Sequence, residues 1–559
     1  MLTASEYPYQ SEAIDRFLER GCVLAAYEMG TGKTFIAIAG AEELMGSGEV
    51  TCVAIVVPAS LKWQWAQQIA KLTDVETTTK RVKVDGETLD LTVPVPARCV
   101  VVEGSKAQRD KQYAFVLQSR PEYVILGYEN VVNDWRTVRR IKPEMIVLDE
   151  CTAIKTFKAE RTKKIKRWTA PYRLALTGTP MENGKPEELF SQMQWVDDTV
   201  LGRFDLFDKT YIVRNKYGAV VRYKNLPVLH AKLADVMVRK TRADPEVAKY
   251  LPKTQEDNIV VRLDPATRQV YRNIAADLLF ELRKAGESAR GSFDLFAHYH
   301  GGESGMNENT QQGRIMSRMQ ALDMLLNHPG LIVASAQDYE ASAKERARGV
   351  EKASWPGSKY CWQVHQSGGL DPVLDAIGGR PTPKLDALVA DIQRAVAASE
   401  KNKIIVFSYY RRMGDFIAEA LEDVGTVQYH GEMNAGAKAA AVAKFRDDPK
   451  TRVIICSHAG AFGTDLYMAN YLYNYDLAWS SGAQDQINAR HSRAASEFEH
   501  IYVLNMITKD TTEERKPQVL EFKRRTASAI MDNRGADSLG RVENDIATLS
   551  TYLEQTLDK

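Results

Sequence analysis

The sequence predicts an α/β fold built on parallel sheets, and three observations carry that expectation. The apolar run CVLAAY, residues 22–27, leads through a glycine-rich loop into the helical pattern TFIAIAGAEELM. The run MIVLDE, residues 145–150, is a short apolar segment ending in two carboxylates. Around them, up to about residue 227, short apolar runs alternate with helical patterns, as in a sheet whose strands are joined by helices.

The loop YEMGTGKT, residues 27–34, joins the first of these strands to its helix. Gly30, Thr31 and Gly32 form a cradle in which glycine permits close backbone approach to phosphate, and the following helix presents its positive end. In a loop of this kind Lys33 reaches the β and γ phosphates and the Thr34 hydroxyl ligates Mg²⁺. The full pattern G-x-x-x-x-G-K-[ST] has glycine where this chain has Tyr27. A magnesium-nucleotide site also needs an acid at the end of a neighbouring strand, which the second element supplies. Asp149 is expected to hold the Mg²⁺ shell and Glu150 to polarise the water that attacks the γ-phosphate. ATP and Mg²⁺ are thus the expected cofactors.

Bulk composition narrows the class. At 559 residues and 44% hydrophobic content the chain can build two to four domains, which excludes a disordered or fibrous protein. Basic and acidic residues number 74 and 73, so a nucleic-acid surface must be a local patch rather than a global charge. Six scattered cysteines without a CxxC pair fit a reducing cytosol. MLTASEYPYQ has no basic region followed by an apolar run, and VAIVVP is too short to span a bilayer, so the expected location is cytoplasmic.

Further short segments follow in a fixed order. In the first half these are PYQSEAIDRFL from Pro8, EMGTGKT, VVPASLKWQW, ILGYENV, DECTAIK and LTGTPMENGKPEELFS. In the second half come DMLLNHPGLI, KIIVFSYYRRMGDFI, YHGEM, SHAGAFGTDLYMAN and QINARHSR. This ordered set, from about residue 7 to 525, resembles a superfamily 2 nucleic-acid motor of the Swi/Snf type, in a bacterial or bacteriophage setting. The resemblance implies two tandem RecA-like parallel-sheet lobes with helical protrusions between them and a short C-terminal helical tail. It implies that Gln10 reads the adenine edge and that Gly463, Asp465 and Gln486 complete the nucleotide site. Lys62, Tyr128, Lys155, Thr177, Thr179 and His430 are the residues it places toward nucleic acid. Thr152 replaces the family's histidine after Asp-Glu, and Ala494 and Ala495 replace its final Gly-Gln.

Two lobes give a chemical reason for the paired arginines. Arg490 and Arg493, reaching across a cleft, can stabilise charge building on the γ-phosphoryl group as an arginine finger does. Such a finger is worth roughly 10³ to 10⁵ in rate, so hydrolysis becomes conditional on lobe closure. The run KTFKAERTKKIKRW, residues 155–168, with seven basic residues and one acid, suits contact with a phosphate backbone. No sequence-reading motif stands beside it, so sequence-specific recognition is not expected, and the resemblance, with its TGTPMEN segment, implies duplex DNA as the partner.

The expected domains are an N-terminal lobe over 1–227, bridging helices, protrusion and insertion over 228–383, a C-terminal lobe over 384–525 and a helical tail over 526–559. The excursion 286–383 holds His298, His300, Cys361 and His365, whose spacing matches no standard zinc site. The favoured activity is ATP-dependent translocation on duplex DNA, remodelling or rewinding it. Alternatives are a true strand-separating DNA or RNA helicase and an ATP-gated nucleic-acid clamp that does not step. A small-molecule kinase would leave the second lobe and its arginines without a role.

Overall fold

A segment such as Val53–Val57 has no polar face, so it can form a strand only where both sides of the sheet are covered. The computed structural model meets that condition. It describes residues 2–84, 87–214, 220–287, 308–349, 358–378, 382–433, 435–457, 466–493, 496–533 and 545–557. Alternate residues of this strand feed different cores: Ala54 and Val56 pack on one face, Val53, Ile55 and Val57 on the other. In the second sheet Ile404 and Val406 face one core while Ile405 and Phe407 face another.

The first sheet has seven parallel strands in the order Met237–Lys240, Cys22–Tyr27, Tyr172–Leu176, Met145–Asp149, Val53–Val57, Tyr123–Gly127, Cys99–Val101. Three neighbouring strands therefore end side by side, at the phosphate loop, at Thr177 and at Asp149. Carboxyl ends of parallel strands are where such sheets place their ligands. The second sheet has six parallel strands in the order Lys253–Val261, His500–Thr508, Tyr471–Asn474, Ile404–Phe407, Thr451–Cys456, Gly425–Tyr429. The expected fold class of two parallel-sheet lobes with helices around them is what the chain adopts. No described helix is long and apolar enough to cross a membrane.

Pairing moves two domain boundaries. Met237–Lys240 pairs with Cys22–Tyr27, so the first sheet extends beyond residue 227. The boundary at 525/526 falls inside the helix Arg515–Met531. That helix leaves the second lobe and inserts Ala529, Ile530 and Met531 into the first lobe's core. Asp532 then pairs with Arg239 at 3.2 Å. The tail helix Asp545–Leu557 docks, as its helical spacing implies, burying Leu549 and Leu553 in the second lobe's core cluster beside Pro265–Glu287.

Between these elements lies an antiparallel hairpin, Thr77–Val84 with Glu87–Pro94, which reading residues 1–227 as alternating strands and helices did not foresee. It packs on the helix Lys62–Leu72, with the Lys80 ammonium 3.5 Å above the Trp63 ring.

Candidate functional site

The phosphate loop is held open by backbone conformations that favour glycine: Gly30 has φ +87° and Gly32 φ +83°. The helix Lys33–Gly46 begins at Gly32 with no side-chain cap, so its first N–H groups are left for an anion. Thr31 donates its hydroxyl to the Glu28 carbonyl at 2.7 Å, which tightens the turn. Gln10 donates to the Thr31 carbonyl at 3.1 Å, so the residue expected to read adenine sits against the loop. The Lys33 ammonium donates to the carbonyls of Tyr27 at 3.0 Å and Glu28 at 3.4 Å. Burial pushes its pKa down, opposed by Glu150 and Asp149 and reinforced by Arg493 and Arg490.

The two carboxylates at the end of Met145–Asp149 are buried in different ways. Asp149 Oδ2 accepts from the Trp65 indole at 2.8 Å and Oδ1 accepts from the Glu150 N–H at 3.0 Å. Glu150 adopts a left-handed backbone, φ +50°, a strained conformation for a residue with a side chain. Its Oε2 is buried with no hydrogen-bond partner among the described residues. Burial raises the Glu150 pKa to about 7, with Lys33 and Arg490 pulling it down and Asp149 pushing it up. A strained, unsatisfied carboxyl poised near neutrality is a candidate general base. Asp149 is likewise raised by burial, against the indole hydrogen bond and the Lys33 charge.

The arginines come from the second lobe. They lie beyond the end of the helix Ser481–Asn488, not on a solvated helical face. Arg493 Nη1 donates to the Ala489 carbonyl at 2.9 Å. A Cβ built on Gly30 would stand 2.9 Å from Arg493 Nη1 and 2.8 Å from the Ser492 carbonyl oxygen. Arg490 is near enough to bias Glu150 and Lys33 electrostatically. Lys33, Asp149, Glu150, Arg490 and Arg493 thus converge on one cleft. Gln486 is buried in the same helix, its Oε1 without a partner among the described residues. Gly463 and Asp465 lie outside the described residues, as do His298 and His300.

The residues expected to face nucleic acid divide. Lys62 is buried and donates to the Val102 carbonyl at 2.8 Å, so the structure removes it from the surface. Tyr128 is buried beneath the carboxylate strand and donates to the Asp149 carbonyl at 2.8 Å, so its hydroxyl is turned toward that strand end. Lys155 is half-buried in an ion pair with Glu182, which together with Glu188 raises its pKa against burial. Thr177 is buried, its hydroxyl accepts from the Thr179 N–H at 3.1 Å, and Thr179 Oγ1 is buried without a hydrogen-bond partner among the described residues. Gly178 packs directly on Met29 of the phosphate loop, linking this segment to the nucleotide side. His430 is partly buried, its pKa lowered by burial and then by Arg411. Lys158 and Lys163 of the basic run are exposed.

Two site residues escaped the sequence. Trp65 lies in the quoted VVPASLKWQW, but nothing local says that its indole reaches a carboxylate 84 positions away. Arg242 follows the strand Met237–Lys240; its backbone N–H donates to Glu28 Oε2 at 2.9 Å and its guanidinium donates to Ser492 Oγ in the other lobe. Neither belongs to a recognisable spacing.

Could these residues hold Mg²⁺ with a nucleotide? Among the described residues no three His, Cys, Asp or Glu side chains cluster as a metal site, and Cys361 and His365 belong to no such group. Mg²⁺ with a nucleotide needs no dedicated cage, since it is held by one or two protein oxygens together with phosphates and water. A hydroxyl at the start of a helix, a carboxylate at the next strand end and an unsatisfied carboxyl beside it fit that donor chemistry.

Comparison with known proteins follows the same lines. The SNF2-related domain matches residues 9–331 and the helicase conserved C-terminal domain matches residues 384–495. YwqA of Bacillus subtilis (strain 168), a candidate ATP-dependent helicase/translocase, is 23% identical over 531 residues, covering 94% of this chain and 47% of that protein. The DNA repair and recombination protein RAD54B of Gallus gallus is 22% identical over 531 residues, covering 92% and 52%. The chain therefore spans about half the length of these relatives. The Pyrococcus furiosus Hef helicase domain shares the fold, with TM-score 0.51, 16% identity and coverage of 92% and 97%. The Sulfolobus solfataricus SWI2/SNF2 ATPase core in complex with dsDNA aligns over 96% and 97% at 21% identity and TM-score 0.40. With the SNF2-related match covering more than half of its 559 residues, the chain belongs to the SNF2-related family.

Proposed function

We propose that the chain is an ATP-driven motor on duplex DNA, hydrolysing Mg²⁺-ATP when its lobes close and converting closure and reopening into movement along the duplex. The observation that carries this reading is Arg493 of the second lobe packed against Gly30 of the first, with Arg490 near Lys33 and Glu150. Such an arrangement joins the phosphate cradle and its transition-state cation only while the lobes are together.

In this reading Gly30, Thr31, Gly32 and Lys33 seat the phosphates, and Thr34 and Asp149 would hold the metal, whose charge would draw electron density from the phosphoryl group. Glu150 Oε2 takes the proton of the attacking water. Arg490 and Arg493 stabilise the charge that develops on the phosphoryl oxygens. Gly178 against Met29 passes the state of the loop to Thr177 and Thr179. The exposed Lys158 and Lys163, with His430 from the second lobe, meet the phosphate backbone of the track. DNA is favoured because the similar RAD54B is named for DNA repair and recombination, and without a base-reading motif the contact is to the backbone. We place this motor in the cytoplasm of a bacterial or phage-infected cell, where ATP and DNA share one compartment.

The test is turnover measured against duplex DNA, single-stranded DNA and RNA of matched length. Duplex should stimulate most, and both Lys33→Ala and Glu150→Gln should abolish the stimulated rate. Arg493→Ala should keep nucleotide affinity within severalfold while lowering kcat by about 10³. Stimulation by RNA alone would reverse the choice of track. Triplex displacement without unwinding of a forked duplex distinguishes translocation from strand separation, and turnover that does not rise with duplex length would indicate a clamp.

A further inference from the structure

We propose that Arg242 is a positioning residue that latches the second lobe onto the phosphate loop, holding Ser492 so that Arg493 is aimed at the cradle. The inference rests on the ATPase reading above and adds a residue to it.

Arg242 is fastened to the loop at one end. Its backbone N–H is held by Glu28, two residues before Gly30, and Glu28 also pairs with Arg239 at 3.3 Å. The Glu28 backbone N–H in turn donates to the Lys240 carbonyl at 3.0 Å. The segment carrying Arg242 and the start of the phosphate loop therefore move as one piece. From that piece the guanidinium crosses the cleft to Ser492 Oγ. Ser492 is fully buried, and its own carbonyl oxygen is the nearest atom that a Cβ on Gly30 would meet across the cleft.

Arg493 needs such a support because it stands in the turn after a short helix. The front of that helix is already pinned across the cleft: the Glu182 carbonyl accepts from the Gly482 N–H at 3.2 Å and from the Ser480 and Ser481 hydroxyls at 3.1 Å and 3.0 Å. Arg242 pins the other end. Two separated attachments fix the rotation of Ser481–Asn488, and with it the direction of the arginine that follows. Misplacement of a catalytic group by about 1 Å can cost about 10²-fold in rate. The electrostatics agree, since burial and the neighbouring Arg493 push the Arg242 pKa down to about 10.

The experiment compares wild type, Arg242→Ala, Ser492→Ala and the double variant. Small-angle scattering of the nucleotide-free proteins reads closure directly: Arg242→Ala and Ser492→Ala should both increase the radius of gyration. At saturating duplex DNA both should lower kcat at least tenfold, with KM for ATP within threefold. The double variant should be no worse than Arg242→Ala within twofold, because one interaction is being removed twice. Ser492→Ala is small enough to fold, so it tests the latch even if Arg242→Ala is unstable. Unchanged scattering, wild-type turnover in Ser492→Ala, or losses that multiply in the double variant would each overturn the latch. Absence of nucleic-acid-stimulated turnover in wild type would instead defeat the functional reading, and scattering would still decide whether Arg242 closes the lobes.

Discussion

Arg493 and Gly30 meet across the cleft so closely that a methyl group on Gly30 would lie 2.9 Å from Arg493 Nη1. The same methyl would lie 2.8 Å from the Ser492 carbonyl, and Gly30 has φ +87°, a conformation costing about 1–2 kcal/mol for a residue with a Cβ. Gly30→Ala should therefore act as a wedge as well as a strained turn. The expected result is a loss of more than about a hundredfold in kcat with only a small change in melting temperature. ATPase assays beside thermal unfolding check it; near-normal turnover would mean that the observed approach is not the working one.

Trp65 should matter to the proposed Mg²⁺ site more than to the fold. Its indole N–H satisfies a buried carboxylate oxygen at 2.8 Å, and losing that bond costs about 1–3 kcal/mol at the carboxylate. Trp65→Phe keeps most of the packing and should raise the Asp149 pKa further. Loss of a hydrogen bond to a ligating group typically weakens metal affinity or activity by about 10–100-fold. A titration of turnover against Mg²⁺ should show the shift, and an unmoved midpoint would remove Trp65 from the site.

The second lobe contains a buried ion pair, Lys384 with Glu513 at 2.6 Å, both side chains 3% exposed. Lys384 also donates to Asn327 Oδ1 at 3.2 Å, and Glu513 accepts from the Thr508 N–H at 2.8 Å. Removing one partner strands a charge in low dielectric. Lys384→Met should destabilise by about 3–5 kcal/mol, measured as a lower denaturant midpoint. A change below about 1 kcal/mol would show that water enters this core.

His491 gives a pH dependence with a definite sign. Burial, followed by the charges of Arg242 and Arg493, lowers its pKa to about 3, so it is neutral in the folded protein. The unfolded chain binds a proton below about pH 6.5, so this residue's contribution to stability is lost as pH falls from about 6.5 toward 3. Glu150, raised to about 7, acts in the opposite sense, so the signal is the difference between wild type and His491→Gln. That difference should shrink at up to about 1.4 kcal/mol per pH unit below pH 6.5. Parallel stability curves would contradict a neutral buried imidazole.

The fold class and the proposed nucleotide site were both legible in the chain itself. Strands buried on both faces must be continuously apolar, so CVLAAY and MIVLDE announce parallel strands wherever they occur. A phosphate cradle must place small residues and a lysine within one turn, so EMGTGKT carries its own geometry. Lys33, Asp149 and Glu150 could therefore be named from local spacing, and Arg490 and Arg493 from a short motif.

What local spacing cannot encode is which face of a residue another lobe will cover. Lys62 and Tyr128 looked available to DNA, yet sheet packing turned one onto the Val102 carbonyl and the other beneath Asp149. Arg242 and Ser492 stand 250 positions apart, and only the return of Met237–Lys240 to the first sheet and the closing of the second lobe bring them together. The helix Arg515–Met531 likewise looks like the end of one domain but buries Ile530 in the core of the other. Sequence determined the chemistry of the loop and the strands because both depend on neighbours along the chain. Tertiary structure decided partnership across the cleft, because burial and charge compensation are properties of surfaces that meet only after folding.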